Sequence, residues 1–191
     1  AMYRTVALYM LRNGIDPQDE QTVSAHCGEA DVRVAYRDGA QRTMLGGEDV
    51  SDLIRTGEVS AAASAISKWP AVRRRMVAAQ REIAATADML IDGRDIGTRV
   101  LIDAPVKIFL TATPEERARR RYRQQIEKGD MTPYEQVLAE LNARDAQDMN
   151  RKTDPLRQAE DAVLVDSTNM TPEQVVDAII AVVEDVYGKR A

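Results

Sequence analysis

One cysteine, one histidine, one tryptophan and one phenylalanine are all that 191 residues contain of these four types. A single cysteine, Cys27, excludes an internal disulfide and fits a reducing, cytoplasmic setting. With aromatics at only 4%, the core is expected to be aliphatic. No apolar run approaches the roughly 18 residues of a membrane-spanning helix. The opening "AMYRTVALYML" has no charged leader ahead of its apolar part, so neither a signal peptide nor a membrane partner is expected. Cys27 and His26 are adjacent, which on a helix points them about 100° apart. No further ligand set follows, so no metal site is expected and Cys27 reads as a small, half-buried hydrophobe. The net charge of −5 argues against a general nucleic-acid binder, although the basic residues are clustered.

The length suggests one domain with small insertions. "AMYRTVALYML" reads as a helix already under way, with Val6, Leu8, Met10 and Leu11 apolar. A turn is expected at Asn13-Gly14, then a polar helix beginning near Pro17. In "DVRVAYRDGAQRTML" the alternation of Val32, Val34 and Tyr36 around Arg33 and Ala35, followed by Asp38-Gly39, predicts a hairpin. Short helical pieces broken near Gly57 come next. Pro70 then starts a helix whose apolar residues are Val72, Met76, Val77 and Ile83. Strands are predicted at 89–92, 106–110 and 162–166. Between the last two lie helices headed by Thr113-Pro114, with Gly129 as terminator, and by Thr132-Pro133. Thr171 caps a final amphipathic helix. This order predicts an α/β fold with a parallel sheet and a separate lobe bearing the hairpin at 31–46.

Three charged constellations stand out. Asp92, Arg94 and Asp95 lie at or just past the end of a predicted strand, where open parallel sheets bind ligands. The same cluster also suits a structural ion network. Arg117, Arg120 and Arg121 share one helix face, and Arg119 and Arg123 another. Such like charges repel unless a polyanion or acidic neighbours such as Glu115, Glu116 and Glu127 offset them. Arg144, Asp148 and Arg151 fall at i, i+4, i+7, where one carboxylate can orient two arginines or merely form a ladder of salt bridges. With Arg4, Arg55 and Arg73, these arginines in a net-acidic chain point to a phosphorylated small molecule, because guanidinium forks take phosphate oxygens in pairs.

Five segments in order, "LGGEDVSDLIRTGEVSAAAS", "WPAVRRRMVAAQRE", "LIDGRDIGT", "DAPVKIFLTATPEERARRR" and "NARDAQDMNRKTDPL", resemble bacterial cytidylate kinase, a member of the nucleoside monophosphate kinases. The resemblance covers essentially the whole chain. It implies an α/β fold of the P-loop kinase type, with a parallel sheet, flanking helices, a hairpin-containing acceptor lobe and a helical lid. It places the core in residues 1–30 and 87–191, the lid in about 113–155 and the acceptor lobe in 31–86. The implied reaction moves the γ-phosphoryl of ATP to CMP or dCMP, giving ADP and CDP or dCDP, with Mg²⁺ alongside ATP. The implied partners are these small molecules, with no nucleic acid, and the expected state is a monomer.

The resemblance also implies roles. Arg4 and Arg94 match arginines that hold the acceptor phosphate. Ser64, Arg73 and Asp95 match the groups that read cytosine, and Asp92 stands beside them on the substrate side. A carboxylate suits the cytosine amino group, which uracil lacks. Arg144 and Asp148 match pentose contacts, and Arg151 lies near the phosphates. Arg117, Arg120 and Arg121 fall in the ATP-covering lid. Arg94, Arg117 and Arg151 would carry the catalytic charge neutralisation, with no metal ligand among the matched residues.

The pattern departs from the family in one respect. No G-x-x-x-x-G-K-[ST] occurs, and the only Gly-Lys, Gly188-Lys189, lacks the earlier glycine and is followed by Arg190. The opening falls inside the family's G-A-x-Y-R segment. The expectation is therefore an N-terminally truncated copy lacking the first two strands and impaired in turnover. Two alternatives stay open: a CMP-binding remnant without catalysis, and an arginine-rich protein whose helix 115–128 binds RNA.

Overall fold

In a computed structural model, residues 1–37 and 39–188 are described, and the chain divides into two units, Ala1–Leu90 and Ile91–Ala191. Asp38 of the expected hairpin turn, and Lys189 and Arg190 of the terminal Gly-Lys segment, lie outside the described residues.

The first unit is organised by α1 (Met2–Arg12), which buries Val6, Ala7 and Met10 completely. Gly14, with φ +66°, makes the expected turn after it. The next helix, α2 (Glu20–His26), starts three residues beyond Pro17, because Asp19 is its cap and accepts from the N–H groups of Gln21 and Thr22. The hairpin forms as expected. β1 (Val32–Arg37) pairs antiparallel with β2 (Ala40–Leu45), Val32 facing Leu45 and Val34 facing Thr43, and β3 (Glu48–Asp49) extends the sheet. Thr56 caps α3 (Gly57–Ile66) and Pro70 opens α4 (Pro70–Ala84). The aliphatic core joins Met10, Val23, Val50, Ile66, Val72 and Met76, and the only tryptophan donates from Nε1 to the Pro17 carbonyl at 3.0 Å. Cys27 is buried, and burial pushes its thiol pKa up, so it is an inert core residue. His26 instead pairs with Glu29 at 3.0 Å.

The second unit contains a two-stranded parallel sheet, β4 (Ile108–Thr111) beside β5 (Val163–Asp166), with Phe109 opposite Leu164. Helix α5 (Pro114–Glu127) begins at Thr113, whose hydroxyl accepts from the Glu116 N–H, and ends before Gly129 at φ +79°. It packs against α6 (Tyr134–Asn150). The expected Thr132 cap is displaced by one residue. Pro133 is the N-cap, and Thr132 is drawn back to Asp130, to which its N–H and hydroxyl both donate. Helix α7 (Pro172–Tyr187) carries a full capping box between Thr171 and Gln174.

One predicted strand does not form. Residues 89–92 are unpaired, and Met89 and Leu90 are exposed. A short apolar run becomes a strand only when a neighbour takes its N–H and C=O groups, and none of the described strands lies beside this one. The other two strands appear one or two residues from their expected bounds.

A recurring turn ties pH to stability. Asp49, Asp130 and Asp166 each accept from the hydroxyl and the backbone N–H of the Ser or Thr two residues on, at 2.5–3.0 Å. Asp19 does the same with Thr22, three residues on. The hydroxyl contact first holds each carboxyl below its ordinary value. Groups depressed in the folded state add stability that is fully present above the unfolded carboxyl pKa, roughly 3.9 for Asp, and is lost as pH falls through the folded value. The thermal midpoint is therefore expected to hold steady from pH 7 to about 5 and to fall below about 4. A midpoint unchanged down to pH 3, read by circular dichroism, would count against these turns as stabilising elements.

Candidate active site

The richest charged cluster of the second unit forms where the 91–100 segment meets the end of α6. After Asp92-Gly93-Arg94-Asp95 the chain makes one π-turn, Ile96–Val100, with the Val100 N–H donating to the Asp95 carbonyl and Leu101 to Ile96. Single π-turns of this kind occur frequently at functional sites. Gly93 is needed for close approach, since a Cβ there would stand 2.8 Å from Cγ1 of Ile96.

Arg94 finds its carboxylate far along the chain. Its Nε donates to Asp148 Oδ2 at 3.0 Å, 54 residues on. Asp148 is buried on α6 and also faces the Arg151 guanidinium, Nη1 to Oδ1, at 3.5 Å. Arg151 lies 3.8 Å from Asp95 through Nη2. Arg94, Asp148, Arg151 and Asp95 thus alternate in charge along one line. Only the Arg94 side chain, 45% accessible against 5–7% for the other three, presents much surface to solvent. Its two Nη atoms have no protein partner among the described residues.

Arg151 is the C-cap of α6, not its last helical residue, so the expected i, i+4, i+7 ladder bends at its end. Arg144 is held on α6. Burial first, and then the nearby Arg94 guanidinium, push its pKa below the ordinary arginine value. Asp92 is exposed and in no ion pair among the described residues.

The basic face of α5 is largely neutralised within the unit. Arg117 Nη1 meets Asp145 at 2.6 Å, and its Nε donates to the Ala112 carbonyl. Arg119 and Arg120 both pair with Glu116. Arg120 also reaches the Ser167 hydroxyl and carbonyl, tying α5 to the turn after β5. Arg121 has no hydrogen-bond partner among the described residues. In the first unit, Arg4 on α1 donates to the Ile54 carbonyl at 3.0 Å. Arg73 on α4 is fully buried, donates to the Ser67 carbonyl and lies 6.0 Å from the Tyr3 ring centroid. Ser64 is half-buried on α3.

Asp145 and Asp154 escaped the sequence reading although both orient arginines of the cluster. Asp145 adjoins Arg144 inside the quoted "NARDAQD", so its partnership with Arg117 on another helix carried no spacing signal. No group of three His, Cys, Asp or Glu side chains that could hold a metal occurs among the described residues, and Asp95 and Asp148 already face arginines.

A family model described as cytidylate kinase matches residues 1–185. The cytidylate kinase of Mycobacterium avium (strain 104) is 51% identical over 177 residues, 92% of this chain and 78% of that protein. That of Caldicellulosiruptor bescii is 46% identical over 180 residues, 94% of this chain and 80% of the relative. That of Mycobacterium leprae (strain Br4923) is 47% identical over 189 residues, 98% of this chain and 83% of the relative. With matches of this extent, and an arginine–carboxylate cluster built from the segments that carry the likeness, the chain belongs to the cytidylate kinase family of phosphotransferases.

Proposed function

We propose that the chain takes CMP or dCMP as phosphoryl acceptor, in the reaction with ATP that yields ADP and CDP or dCDP. The observation that carries this reading is Arg94. Its Nε is fixed by the buried Asp148, while its Nη pair remains accessible for two phosphate oxygens. Asp95 would accept from the cytosine amino group, and Arg144 and Asp148 would hold the pentose. Arg4 would hold acceptor phosphate, and Ser64 and Arg73 would read cytosine, as the family likeness implies. Residues 31–86 act as the acceptor lobe in this account and about 113–155 as the lid.

Phosphoryl transfer is largely positioning and charge neutralisation, so arginines rather than a general base carry it. Arg94, Arg117 and Arg151 would offset developing charge on the transferred group, with Arg120 and Arg121 on the donor side. Lid closure would exclude water and limit loss of the phosphoryl group to hydrolysis. The absence of a G-x-x-x-x-G-K-[ST] from the 191 residues favours a second reading for the chain by itself, a CMP binder without turnover. The RNA-binding reading loses ground, because Arg117, Arg119 and Arg120 are already matched by Asp145 and Glu116. Calorimetric titration with CMP and with UMP tests the acceptor assignment. CMP is expected to bind and UMP to bind more weakly, and equal affinities would sink the cytosine reading.

A further inference from the structure

The segment after α6 has an unusual backbone. Asp154 is the one non-glycine residue at positive φ among the described residues, at +46°. This left-handed region is sterically disfavoured for L-residues, and Asp is among the few that enter it readily. Asp154 also precedes Pro155, which narrows its choices further. A conformation of this kind persists only where surrounding contacts fix it, and three do so here. The Asp154 carbonyl accepts from Arg151 Nε at 2.7 Å. The Asp154 carboxylate lies 3.4 Å from Arg99 Nε, on the π-turn. The Leu156 N–H donates to the Asp148 carbonyl at 2.8 Å, closing the loop back onto α6.

We propose that Asp154 is a positioning residue for Arg151. Its left-handed backbone turns its carbonyl onto Nε and so fixes the guanidinium against Asp95 and Asp148. The carboxylate anchors the loop to Arg99 and thereby joins the α6 end to the segment carrying Arg94. Its consequence for nucleotide rests on the acceptor reading above, whereas the positioning itself is visible without any ligand. The contact to Nε depends first on backbone geometry, so glycine, which enters positive φ freely, should preserve more of it than valine, which resists that region.

Nitrogen-15 NMR of the arginine Nε–H groups in the nucleotide-free chain tests this, with Arg151→Lys identifying the Arg151 resonance. A hydrogen bond to a charged donor contributes about 1.5–3 kcal/mol, so solvent exchange of the Arg151 proton should accelerate at least about tenfold in Asp154→Val. It should accelerate less in Asp154→Gly, which keeps the positive φ and loses only the carboxylate contact to Arg99. If Asp154→Val does not fold by circular dichroism, Asp154→Ala gives the same direction. Exchange unchanged in the Val and Ala variants overturns the proposal, as does a Gly variant that loses protection equally. CMP titration of the same proteins separates the two ideas. If wild type binds no CMP while the exchange pattern holds, the acceptor reading fails and the positioning stands. CMP binding with exchange indifferent to residue 154 means the reverse.

Discussion

Asp148→Ala is expected to cost about 3–5 kcal/mol of unfolding free energy. The carboxylate is buried and lies between Arg94 and Arg151. Removing it takes a carboxylate neighbour from the Arg151 guanidinium, whose side chain is 5% accessible, and leaves it the longer contact to Asp95 at 3.8 Å. Breaking a buried pair by deleting one partner is far more costly than the net worth of the salt bridge, because the remaining charge stays buried with less compensation. With a urea m-value of about 2 kcal/mol/M, the midpoint should drop by about 2 M. Asp148→Asn, which keeps the shape and one acceptor, should lose less. If urea unfolding followed by circular dichroism shows a loss under about 1 kcal/mol, the cluster behaves as an exposed ladder on α6 and not as an anchored site.

No ADP release above background is expected when the 191-residue chain is mixed with ATP and CMP. Donor phosphates need a cradle of backbone N–H groups and a lysine, and the sequence contains no G-x-x-x-x-G-K-[ST] to make one. Arg117 and Arg120, on the face expected to serve the donor, are engaged with Asp145, Glu116 and Ser167. A longer polypeptide holding these residues and such a loop is the positive control, and it should turn over. Normal turnover by the 191 residues in a coupled ADP assay would refute the expectation outright.

Much of this was legible from local chemistry. Thr113-Pro114 and Thr171-Pro172 fix helix starts through a hydroxyl cap and a proline whose missing N–H costs nothing in the first turn. The hairpin followed from Val32 and Val34 set around Arg33 ahead of the Asp38-Gly39 turn signal, although Tyr36, on the same alternation, is exposed. Residues 89–92 misled because apolarity signals burial or pairing only if a partner exists, and a partner strand is a tertiary fact. The constellation at Arg94 was found, but its wiring was not. The sequence placed Asp92 and Asp95 around Arg94, whereas Arg94 bonds to Asp148, in a motif read separately. Partnership across 54 residues has no periodic signature, and neither has the left-handed Asp154 beside Arg99.

The central claim is that Arg94, anchored by Asp148, offers its free Nη pair to the phosphate of a cytidine monophosphate. Calorimetric titration of CMP into the wild-type chain and into Arg94→Ala measures it most directly. A lost charge-assisted contact of about 1.5–3 kcal/mol predicts affinity weakened by roughly ten- to a hundredfold in the variant, with cytidine, which has no phosphate, indifferent to the change. CMP binding of equal strength to both proteins would contradict the account.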